Sequence, residues 1–328
     1  MNEKYPTSAF LAVTLLCNAR CVMCDIWKHR GIDFLTPDVY KKLPPSLTMV
    51  DLTGGEPFLR PDMASVVRVV KDSCPRARIL ITTNGFLHHS IEKQIDDIVD
   101  ADPNIAFRLS LDGGPEMHEK IRRIPQAFQK VTHTIDLLKR KRVKDIGIIY
   151  TLMKQNKHEM EQVYKYSKLQ NIQFSLNVVH DSPVYFGTKK EHLRPEPSEV
   201  KQLFEQLFVS QLQSINPRDW AKAWFNKQSY YYMMTHHRAL PCGAGENFFY
   251  MDPFGSVFMC HLKMWPIGNL GTQSFDEIWN SKARNMRIPF AHNCNDCWIV
   301  CTAKDEIRKH KFYVASDTIK EVARQLNA

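Results

Sequence analysis

Three cysteines near the N-terminus have the spacing of a metal-binding loop. Cys17, Cys21 and Cys24 form a C-x3-C-x2-C pattern directly after the apolar stretch at residues 9–16. Three thiolates can hold a [4Fe–4S] cluster and leave its fourth iron without a protein ligand, and such an iron is open to chemistry. Structural zinc sites have four ligands instead. Zinc is therefore an alternative, with His29 as the fourth ligand.

Five more cysteines lie in the last third of the chain, namely Cys242, Cys260, Cys294, Cys297 and Cys301. The first two flank a predicted two-stranded hairpin at residues 248–259, whose turn contains proline and glycine. The third and fourth form a C-x2-C pair, and the fifth follows one helical turn later. Four of these thiols suit a zinc ion or an iron–sulfur cluster, and the role of the fifth is open.

The composition is typical of a large globular chain in a reducing compartment. With 328 residues, 44% of them hydrophobic, the chain can bury a barrel-sized core and a smaller unit. Eight of its nine cysteines are clustered, and the ninth, Cys74, is predicted to be an inert buried thiol. Disulfide frameworks belong mostly to short extracellular chains, so the clustering favours the cytoplasm. No stretch is long enough to span a bilayer.

The charge balance favours an anionic partner. The chain carries 44 Lys and Arg against 35 Asp and Glu, a formal net charge of +9. The surplus is spread along the sequence, and its densest cluster, at residues 139–142, suits the C-terminal end of a helix. No aromatic RNA-binding motif or helix-turn-helix pattern accompanies the charge, which disfavours nucleic acid. An anionic small molecule fits the surplus better.

Short β-rich runs alternate with helical periodicity over the first 180 residues. The runs predict six strands, at residues 9–16, 47–53, 77–83, 105–111, 145–152 and 172–179. Apolar residues at three- and four-residue steps predict helices between them, at residues 63–70, 91–98, 128–138 and 160–164. This alternation predicts parallel βα units, arranged as a doubly wound sheet or an open barrel.

Polar residues recur at the carboxyl ends of the predicted strands. The GGEP motif at residues 54–57 follows the second strand, and Asn84 follows the third. Ser110 and Asp112 surround the end of the fourth strand, and Asn177 lies near the end of the sixth. Both candidate folds place their sites at this edge, so the repeated placement predicts one shared site.

The pattern changes after residue 180. Three prolines within residues 181–197 predict a connector, and the apolar spacing at residues 200–208 predicts an amphipathic helix. The aromatic-rich stretch at residues 220–232 predicts a second helix.

Residues 8–180 resemble the radical S-adenosylmethionine (SAM) superfamily, through the cysteine loop after the first strand and the GGEP motif after the second. The resemblance implies an α/β fold, a partial (β/α)6 TIM-like barrel with a small C-terminal cysteine-rich extension of β-hairpin and helix. The implied domains are a radical SAM core at 1–185, a helical connector at 186–240, an auxiliary cluster domain at 241–310 and a C-terminal tail at 311–328.

The same resemblance implies roles for the site residues. Cys17, Cys21 and Cys24 would hold a [4Fe–4S] cluster whose open iron binds SAM. One electron through that cluster would cleave SAM to a 5′-deoxyadenosyl radical, which abstracts hydrogen from a substrate. Together with Asn177 at the same edge, the residues assigned to SAM are Gly54, Gly55, Glu56, Asn84, Ser110, Asp112 and Arg122. A solvent-exposed helix arginine is the alternative for Arg122.

The later cysteines resemble the SPASM and Twitch extensions of this superfamily. The C-x12-G-x4-C pattern that opens at Cys242, followed by the pair at residues 294–297, implies one auxiliary [4Fe–4S] cluster, with Cys301 as a fifth candidate ligand. The implied role is to accept an electron during net oxidation, which also needs a base. His261 and Asp252 are candidate bases by position. A surface histidine and a turn aspartate are the alternatives.

The leading hypothesis is a radical SAM oxidoreductase acting on a small, polar, anionic metabolite, such as a sugar or nucleotide derivative. The implied electron donor is an external flavodoxin or ferredoxin. The first predicted strand begins at Ala9, which leaves no room before it for a peptide-recognition domain. A peptide- or protein-modifying maturase is the second hypothesis, and a non-catalytic iron–sulfur or zinc protein is the third.

Overall fold

The computed structural model of the protein describes residues 5–31, 34–180, 182 and 191–326. Its strands are β1 (Ser8–Thr14), β2 (Met49–Gly54), β3 (Arg78–Thr83), β4 (Ala106–Ser110), β5 (Asp145–Leu152), β6 (Gln173–Val178), β7 (Phe248–Met251), β8 (Ser256–Phe258) and β9 (Pro266–Asn269). They form one nine-stranded sheet in the order β6-β5-β4-β3-β2-β1-β7-β8-β9.

The first six strands form the predicted partial barrel. Each of them pairs in parallel with the next strand of the sequence. Their order runs in one direction only, as in a barrel, whereas a doubly wound sheet reverses direction at a switch point. The sheet stays open, because β6 and β9 lie at its two edges and do not pair with each other. The predicted α/β fold is confirmed.

Helices lie between the strands and after the last of them. They are α1 (Met63–Ser73), α2 (His88–Ala101), α3 (Pro115–Arg122), α4 (Ala127–Arg140), α5 (Met160–Leu169), α6 (Pro197–Leu212), α7 (Pro217–Thr235), α8 (Phe275–Trp279), α9 (Lys282–Asn285), α10 (Ile288–His292), α11 (Val300–Lys309) and α12 (Lys311–Leu326). The six helices predicted from apolar spacing are confirmed as α1, α2, α4, α5, α6 and α7. Of the helices in the described ranges, none has the length and apolarity needed to cross a membrane.

The C-terminal extension continues the barrel sheet. The predicted hairpin is confirmed as β7 and β8, and β7 pairs in parallel with β1, with Ser8 opposite Phe248 and Leu11 opposite Met251. All seven residues of β1 are buried, because the strand has neighbours on both sides and cover on both faces. Strand β9, which pairs with β8, adds a third antiparallel strand that the sequence pattern does not reveal.

Helices α7, α11 and α12 form a second apolar cluster beside the open side of the barrel. Trp298 stacks on Phe225 at a ring distance of 5.7 Å and meets Trp224 edge-on at 5.9 Å. Trp224 donates a hydrogen bond of 2.8 Å to Asp317 of α12. The segment predicted as a C-terminal tail is therefore a packed helix over the residues described. The predicted division into domains stays a prediction, and its boundary at 185/186 lies outside the described residues.

Candidate active site

The first cysteine loop follows the carboxyl end of β1 and is held against helix α3. Arg20 and Val22, on either side of Cys21, donate backbone hydrogen bonds to the carbonyls of Arg122 (3.2 Å) and Ile121 (2.9 Å). These two bonds anchor the middle of the loop on the last turn of the helix. The loop geometry is thus set by a contact about one hundred residues away in the sequence, which local pattern does not reveal.

Of the thiols of this loop, Cys21 is buried and Cys17 and Cys24 are half-buried, and the latter two accept backbone N–H groups. Burial raises the pKa of Cys17, and the neighbouring Cys21 thiolate raises it further. Burial also raises the pKa of Cys24 to about 12. The amides of Ala19 and Ile26, each two residues after its cysteine, donate to Cys17 and Cys24. Buried thiolates need a cationic partner as well as amide donors, so this donor set fits an iron–sulfur cluster.

Two glycines let the GGEP turn pass directly against the end of β1. Gly54 has a φ of +131°, and a Cβ at this position would clash with the carbonyl oxygen of Thr14. A Cβ on Gly55 would clash with the carbonyl oxygen of Leu16. Backbone hydrogen bonds of 2.7 Å join Gly55 to Thr14 and Glu56 to Leu16. The two strand ends are locked side by side, which is possible only without side chains.

Glu56 lies at the centre of a buried hydrogen-bond network. Its Oε1 accepts from the Thr83 hydroxyl (2.7 Å) and the Phe58 amide (3.1 Å), and its Oε2 accepts from the Asn84 amide (2.8 Å). The Asn84 side chain donates to Asn18 of the cysteine loop (2.7 Å). Burial raises the pKa of Glu56 to about 7. The structure therefore brings the predicted Glu56 and Asn84 together beside the cysteine loop.

Asp112 and Arg122 form a buried ion pair that reaches the cysteine loop. The Nε and Nη2 atoms of Arg122 donate to Asp112 Oδ2 at 2.6 and 2.5 Å, and Arg122 Nη1 lies 3.5 Å from the Cys21 sulfur. Asp112 Oδ1 accepts from the Thr151 amide (2.9 Å). Asp112 is fully buried and Arg122 is 8% exposed, so the alternative of a solvent-exposed arginine is wrong. Ser110, the last residue of β4, lies half-buried nearby in the chain.

The second group of thiols gathers near the hairpin. The amides of Ala244 and Lys263 donate to Cys242 and Cys260, the latter at 3.3 Å. Burial raises the pKa of Cys260 to about 11, and Cys242 and Cys294 raise it further. In the described part of the chain, no three His, Cys, Asp or Glu side chains converge closely enough to hold a single metal ion.

Arg238 organises the fourth thiol of this group. Its Nη1 donates to the Cys297 carbonyl (2.7 Å) and the Thr302 hydroxyl (3.1 Å), and it lies 3.7 Å from the Cys297 sulfur. Its guanidinium also lies 5.2 Å from the centre of the Trp298 ring. The positive charge offsets the negative charge of a thiolate at Cys297. Sequence reasoning missed this residue, since a lone arginine 59 positions away carries no pattern.

Cys301 has a different environment from the other four thiols. It lies in the first turn of α11, and its side chain lines a cavity inside the barrel. Burial raises the pKa of Cys301 well above the usual value, and Cys297 and Asp51 raise it further. Cys301 thus lies close to Cys297 of the auxiliary group and also lines the barrel interior.

That cavity, with a volume of about 940 Å³, fills the lumen between the barrel strands and helices α7 and α11. Asn177 and His261 both line it. Burial lowers the pKa of His261 to about 3, with a smaller contribution from His180, so its imidazole is neutral at physiological pH. Asp252 does not line the cavity. Its carboxylate lies in the hairpin turn, where Oδ1 accepts from the amides of Phe254 (3.0 Å) and Ser256 (2.8 Å).

The charged residues of the lumen were not anticipated. Asp51 and Arg108 point into the cavity from the middle of strands whose neighbouring residues are buried and apolar. Asp51 accepts a hydrogen bond of 2.9 Å from Thr82, and burial raises its pKa to about 6. A charged residue inside an otherwise apolar strand is the signal that could have identified both positions, because burying an ion is costly without a purpose or a partner.

Family models match both halves of this site. The model of the radical SAM superfamily matches residues 11–167, and the model of SPASM, an iron–sulfur cluster-binding domain, matches residues 242–298. The AdoMet-dependent heme synthase of Methanosarcina barkeri is 26% identical over 84% of this chain and 83% of its own length. A probable GTP 3′,8-cyclase of Saccharolobus islandicus is 26% identical over 61% of this chain and 65% of its own length.

Solved structures share the fold. Native anSMEcpe with bound AdoMet has a TM-score of 0.65 at 16% identity, covering 96% of this chain and all of that one. SuiB of Streptococcus suis bound to S-adenosylmethionine has a TM-score of 0.66 at 13% identity, covering 88% of this chain and 68% of that one.

These matches confirm the predicted cofactors, a SAM-bound [4Fe–4S] cluster and an auxiliary iron–sulfur cluster, and they favour iron–sulfur clusters over zinc. The partial barrel, the GGEP turn beside the cysteine loop and the second thiol group agree with the same assignment. The chain belongs to the radical SAM superfamily and carries a C-terminal SPASM iron–sulfur domain.

Proposed function

We propose that the protein is an oxidising radical SAM enzyme that acts on a small anionic metabolite in the lumen cavity. When bound, SAM and its cluster supply a 5′-deoxyadenosyl radical that takes a hydrogen atom, and the auxiliary cluster supplies an electron acceptor. One observation carries the proposal. The barrel strands face His261 and Cys301 of the C-terminal extension across a single cavity, so a substrate there would contact both the barrel and the extension.

The proposed ligands of the SAM-binding cluster are Cys17, Cys21 and Cys24. Their placement on one loop, their mutual interaction and the amide donors to Cys17 and Cys24 support this assignment. The proposed ligands of the auxiliary cluster are Cys242, Cys260, Cys294 and Cys297. Amide donors to the first three and Arg238 beside the fourth support the set. Cys301 is left to line the substrate cavity.

The proposed SAM site lies along the edge formed by the strand ends. Gly54 and Gly55 let the turn pack directly against the end of β1 beside the cysteine loop, and Glu56 accepts the amino group of the methionine part of SAM. Asn84 supports the cysteine loop through Asn18. Ser110, Asp112, Arg122 and Asn177 complete the proposed set. Within it, Arg122 acts through Asp112 and Cys21, because both ends of its guanidinium are engaged there.

Asp51 is the proton acceptor that we assign to net oxidation. Removal of a hydrogen atom and an electron from a C–H or O–H group leaves a proton to be accepted. A pKa of about 6 leaves the Asp51 carboxylate ionised at neutral pH yet basic enough to take that proton. His261, with a pKa of about 3, is a weaker base. The Asp252 carboxylate accepts a hydrogen bond from the Ser256 amide within the hairpin turn.

The two relatives support a small-molecule substrate. One is named for heme synthesis and the other for the cyclisation of GTP, a polyanion. The excess of basic residues in the chain supports an anion as well. The clustered cysteines support a reducing cytoplasm, where a flavodoxin or ferredoxin would supply the electron.

A screen of metabolites tests the proposal. The reconstituted protein is incubated anaerobically with SAM, dithionite and anion-exchange fractions of a metabolite extract, and products are followed by mass spectrometry. We expect a retained fraction to stimulate 5′-deoxyadenosine formation and to contain a compound that loses a pair of hydrogens. Stimulation by neutral fractions alone would refute the proposal, and stimulation by a precursor peptide alone would favour the maturase.

The Cys260→Ala variant separates hydrogen abstraction from oxidation. We expect it to form 5′-deoxyadenosine near the wild-type rate and to yield at least about tenfold less oxidised product, because the electron acceptor is lost while the first cluster is intact. Both products are measured in the same reaction with the substrate from the screen. Cys74→Ala, a buried thiol away from both groups, is the control. Wild-type amounts of oxidised product from Cys260→Ala would contradict the assigned electron acceptor.

SAM binding should depend on the protonation of Glu56. We expect SAM to bind more tightly as the pH rises through about 7, because burial raises the pKa of Glu56 to about 7 and only its carboxylate form accepts an N–H group from SAM without competition from its own proton. Equilibrium dialysis with labelled SAM measures the effect. Glu56→Gln should bind SAM more weakly and lose most of this pH dependence. An unchanged pH profile in that variant would contradict the assignment.

A further inference from the structure

The lumen cavity has an excess of positive charge. Seven Lys or Arg and two Asp side chains line it, a surplus of five positive charges. A low-dielectric cavity with one sign of charge focuses the electric field and concentrates ions of the opposite sign. The positions of these cations therefore indicate where the negative group of a bound substrate would lie.

The cations concentrate at the amino-terminal ends of the strands. Arg78 is the first residue of β3, and Lys304 of α11 lies beside Met49, the first residue of β2, with its Nζ 2.8 Å from the Met49 sulfur. The same cavity is lined by Thr53, at the other end of β2. Thr53 lies four residues after Met49 along the strand, so the lumen is about 13 Å long between these levels. The GGEP turn and the cysteine loop lie beyond Thr53.

Lys304 has no carboxylate partner of its own. Among the described residues, no carboxylate oxygen lies within 4.0 Å of its Nζ. The cations Arg308 and Arg78 are close enough to lower the pKa of Lys304, after burial itself, to about 8. Asp51 and Asp305 act in the opposite direction and more weakly than the two arginines. The Lys304 ammonium is thus half-buried, still protonated at neutral pH and surrounded mainly by positive charge.

The other charges at this level are balanced differently. Asp145 accepts from Arg78 at 2.5 Å and from Arg108 at 2.8 Å, so one carboxylate serves two guanidinium groups. Arg308 extends to the rim, where its Nη1 lies 3.6 Å from Asp305. Arg78 and Arg308 thus each have a carboxylate partner, whereas Lys304 beside them has none in the described part of the chain, and a partly buried charge is costly without a counter-ion. The arrangement is that of a site with a missing negative partner.

We propose that Lys304, Arg78 and Arg308 bind a carboxylate or phosphate group of the substrate at the amino-terminal end of the barrel. The substrate then lies along the lumen, with its anionic group at this end and its reacting C–H group about 13 Å away, toward the cysteine loop. This inference rests on the proposed function for the identity of the reaction. It adds the class of substrate, an elongated molecule with an anion at one end, and its orientation.

The rim of the cavity favours entry of an anion from the same end. Lys144 and Arg218 are exposed and line the opening together with Arg308. Exposed cations add little affinity, but they raise the rate at which an anion reaches the site. The rate of substrate binding should therefore fall with ionic strength.

Binding of simple anions to the holoenzyme tests the subsite without knowledge of the substrate. The reconstituted protein with SAM is titrated with inorganic phosphate and, separately, with succinate, and the rise in melting temperature gives each Kd. We expect Lys304→Gln to weaken binding of the preferred anion at least about tenfold, as loss of one charge-assisted contact predicts. The stronger of the two anions indicates whether the substrate carries a phosphate or a carboxylate.

Lys309→Gln is the matched control. Lys309 lies on the same helix, its side chain is 54% exposed, and its Nζ is 4.0 Å from Glu306, so the change removes the same charge outside the cavity. We expect it to bind both anions as the wild type does. Equal binding by Lys304→Gln and Lys309→Gln, or no binding of either anion to the wild type, would overturn the subsite.

Formation of 5′-deoxyadenosine without substrate separates this inference from the proposed function. Lys309 lies outside the cavity and its side chain is 54% exposed, so we expect the unstimulated rate of Lys309→Gln to equal that of the wild type. If the wild type itself forms no 5′-deoxyadenosine, the proposed function fails whatever the anion titrations show. If the wild type forms 5′-deoxyadenosine but Lys304→Gln and Lys309→Gln bind the anions equally, the subsite alone fails.

Discussion

The Cys21→Ala variant is expected to hold about four fewer irons per chain than the wild type and to lose SAM cleavage. Only three thiols are available on the loop, and two cannot keep a cluster that already has one open iron. Cys21 is also the thiol that Arg122 approaches, at 3.5 Å, so its loss removes the link between the loop and the buried ion pair. Iron and sulfide analysis of the anaerobically reconstituted protein measures the effect.

Cys74→Ala is the control for this substitution. Cys74 is fully buried and its thiol contacts only the Pro44 carbonyl, at 3.4 Å, among the hydrogen-bond partners described. Its variant should keep the wild-type iron content and lose only a little stability, since a small cavity replaces the sulfur. A Cys21→Ala protein with full iron content would show that the cluster is held elsewhere.

Asp112→Asn should destabilise the protein by about 3–5 kcal/mol, the cost of leaving a buried charge without its partner. Asp112 Oδ2 accepts both Nε and Nη2 of Arg122, and the amide of the variant would place an N–H group against these donors or turn its oxygen away from Thr151. The cysteine loop hydrogen-bonds to the carbonyls of Ile121 and Arg122, so the loop should loosen as well. Scanning calorimetry of the reconstituted protein measures the shift in melting temperature.

Asp97→Asn provides the comparison. Asp97 lies on the exposed face of α2, and its variant makes the same chemical change without an ion pair in the described structure. We expect its free energy of unfolding to change by no more than about 0.5 kcal/mol, as for ordinary surface substitutions, so that its melting temperature stays close to that of the wild type. Equal stability of the Asp112→Asn and Asp97→Asn proteins would mean that the buried pair contributes nothing.

The barrel can be predicted from the sequence because its signals are local. Each strand is a short apolar run, and α1 shows its buried face at Met63, Val66 and Val70. The GGEP turn can also be recognised from a few contiguous residues. The structure explains its two glycines, because a Cβ at Gly54 or Gly55 would clash with the backbone at the end of β1. Such features depend on a few neighbouring residues, and the structure agrees with them.

Features that depend on distant pairing cannot be predicted in this way. The pairing of β7 with β1 joins residues about 240 positions apart, and β9 contains a proline and a glycine, which hide a strand pattern. Arg238 beside Cys297 and Lys304 beside Met49 are likewise brought together only by folding. The charged lumen arises from single residues on separate elements, so its net charge becomes visible only when the barrel is assembled.

The positions chosen as bases illustrate the same limit. His261, next to Cys260, and Asp252 are candidates by their position in the sequence. In the structure burial lowers the pKa of His261, and the Asp252 carboxylate accepts hydrogen bonds within the hairpin turn. Asp51, with a pKa of about 6 and a place in the cavity, has the more suitable chemistry. Its environment is made by Thr82, Arg108 and Lys304, which come from three other elements.

Formation of 5′-deoxyadenosine by the anaerobically reconstituted protein tests the central claim most directly. The account predicts that the wild type forms it only when both SAM and dithionite are present, and that Cys17→Ala forms none. No 5′-deoxyadenosine from a wild-type protein with full iron content, or equal amounts from the wild type and Cys17→Ala, would contradict the account.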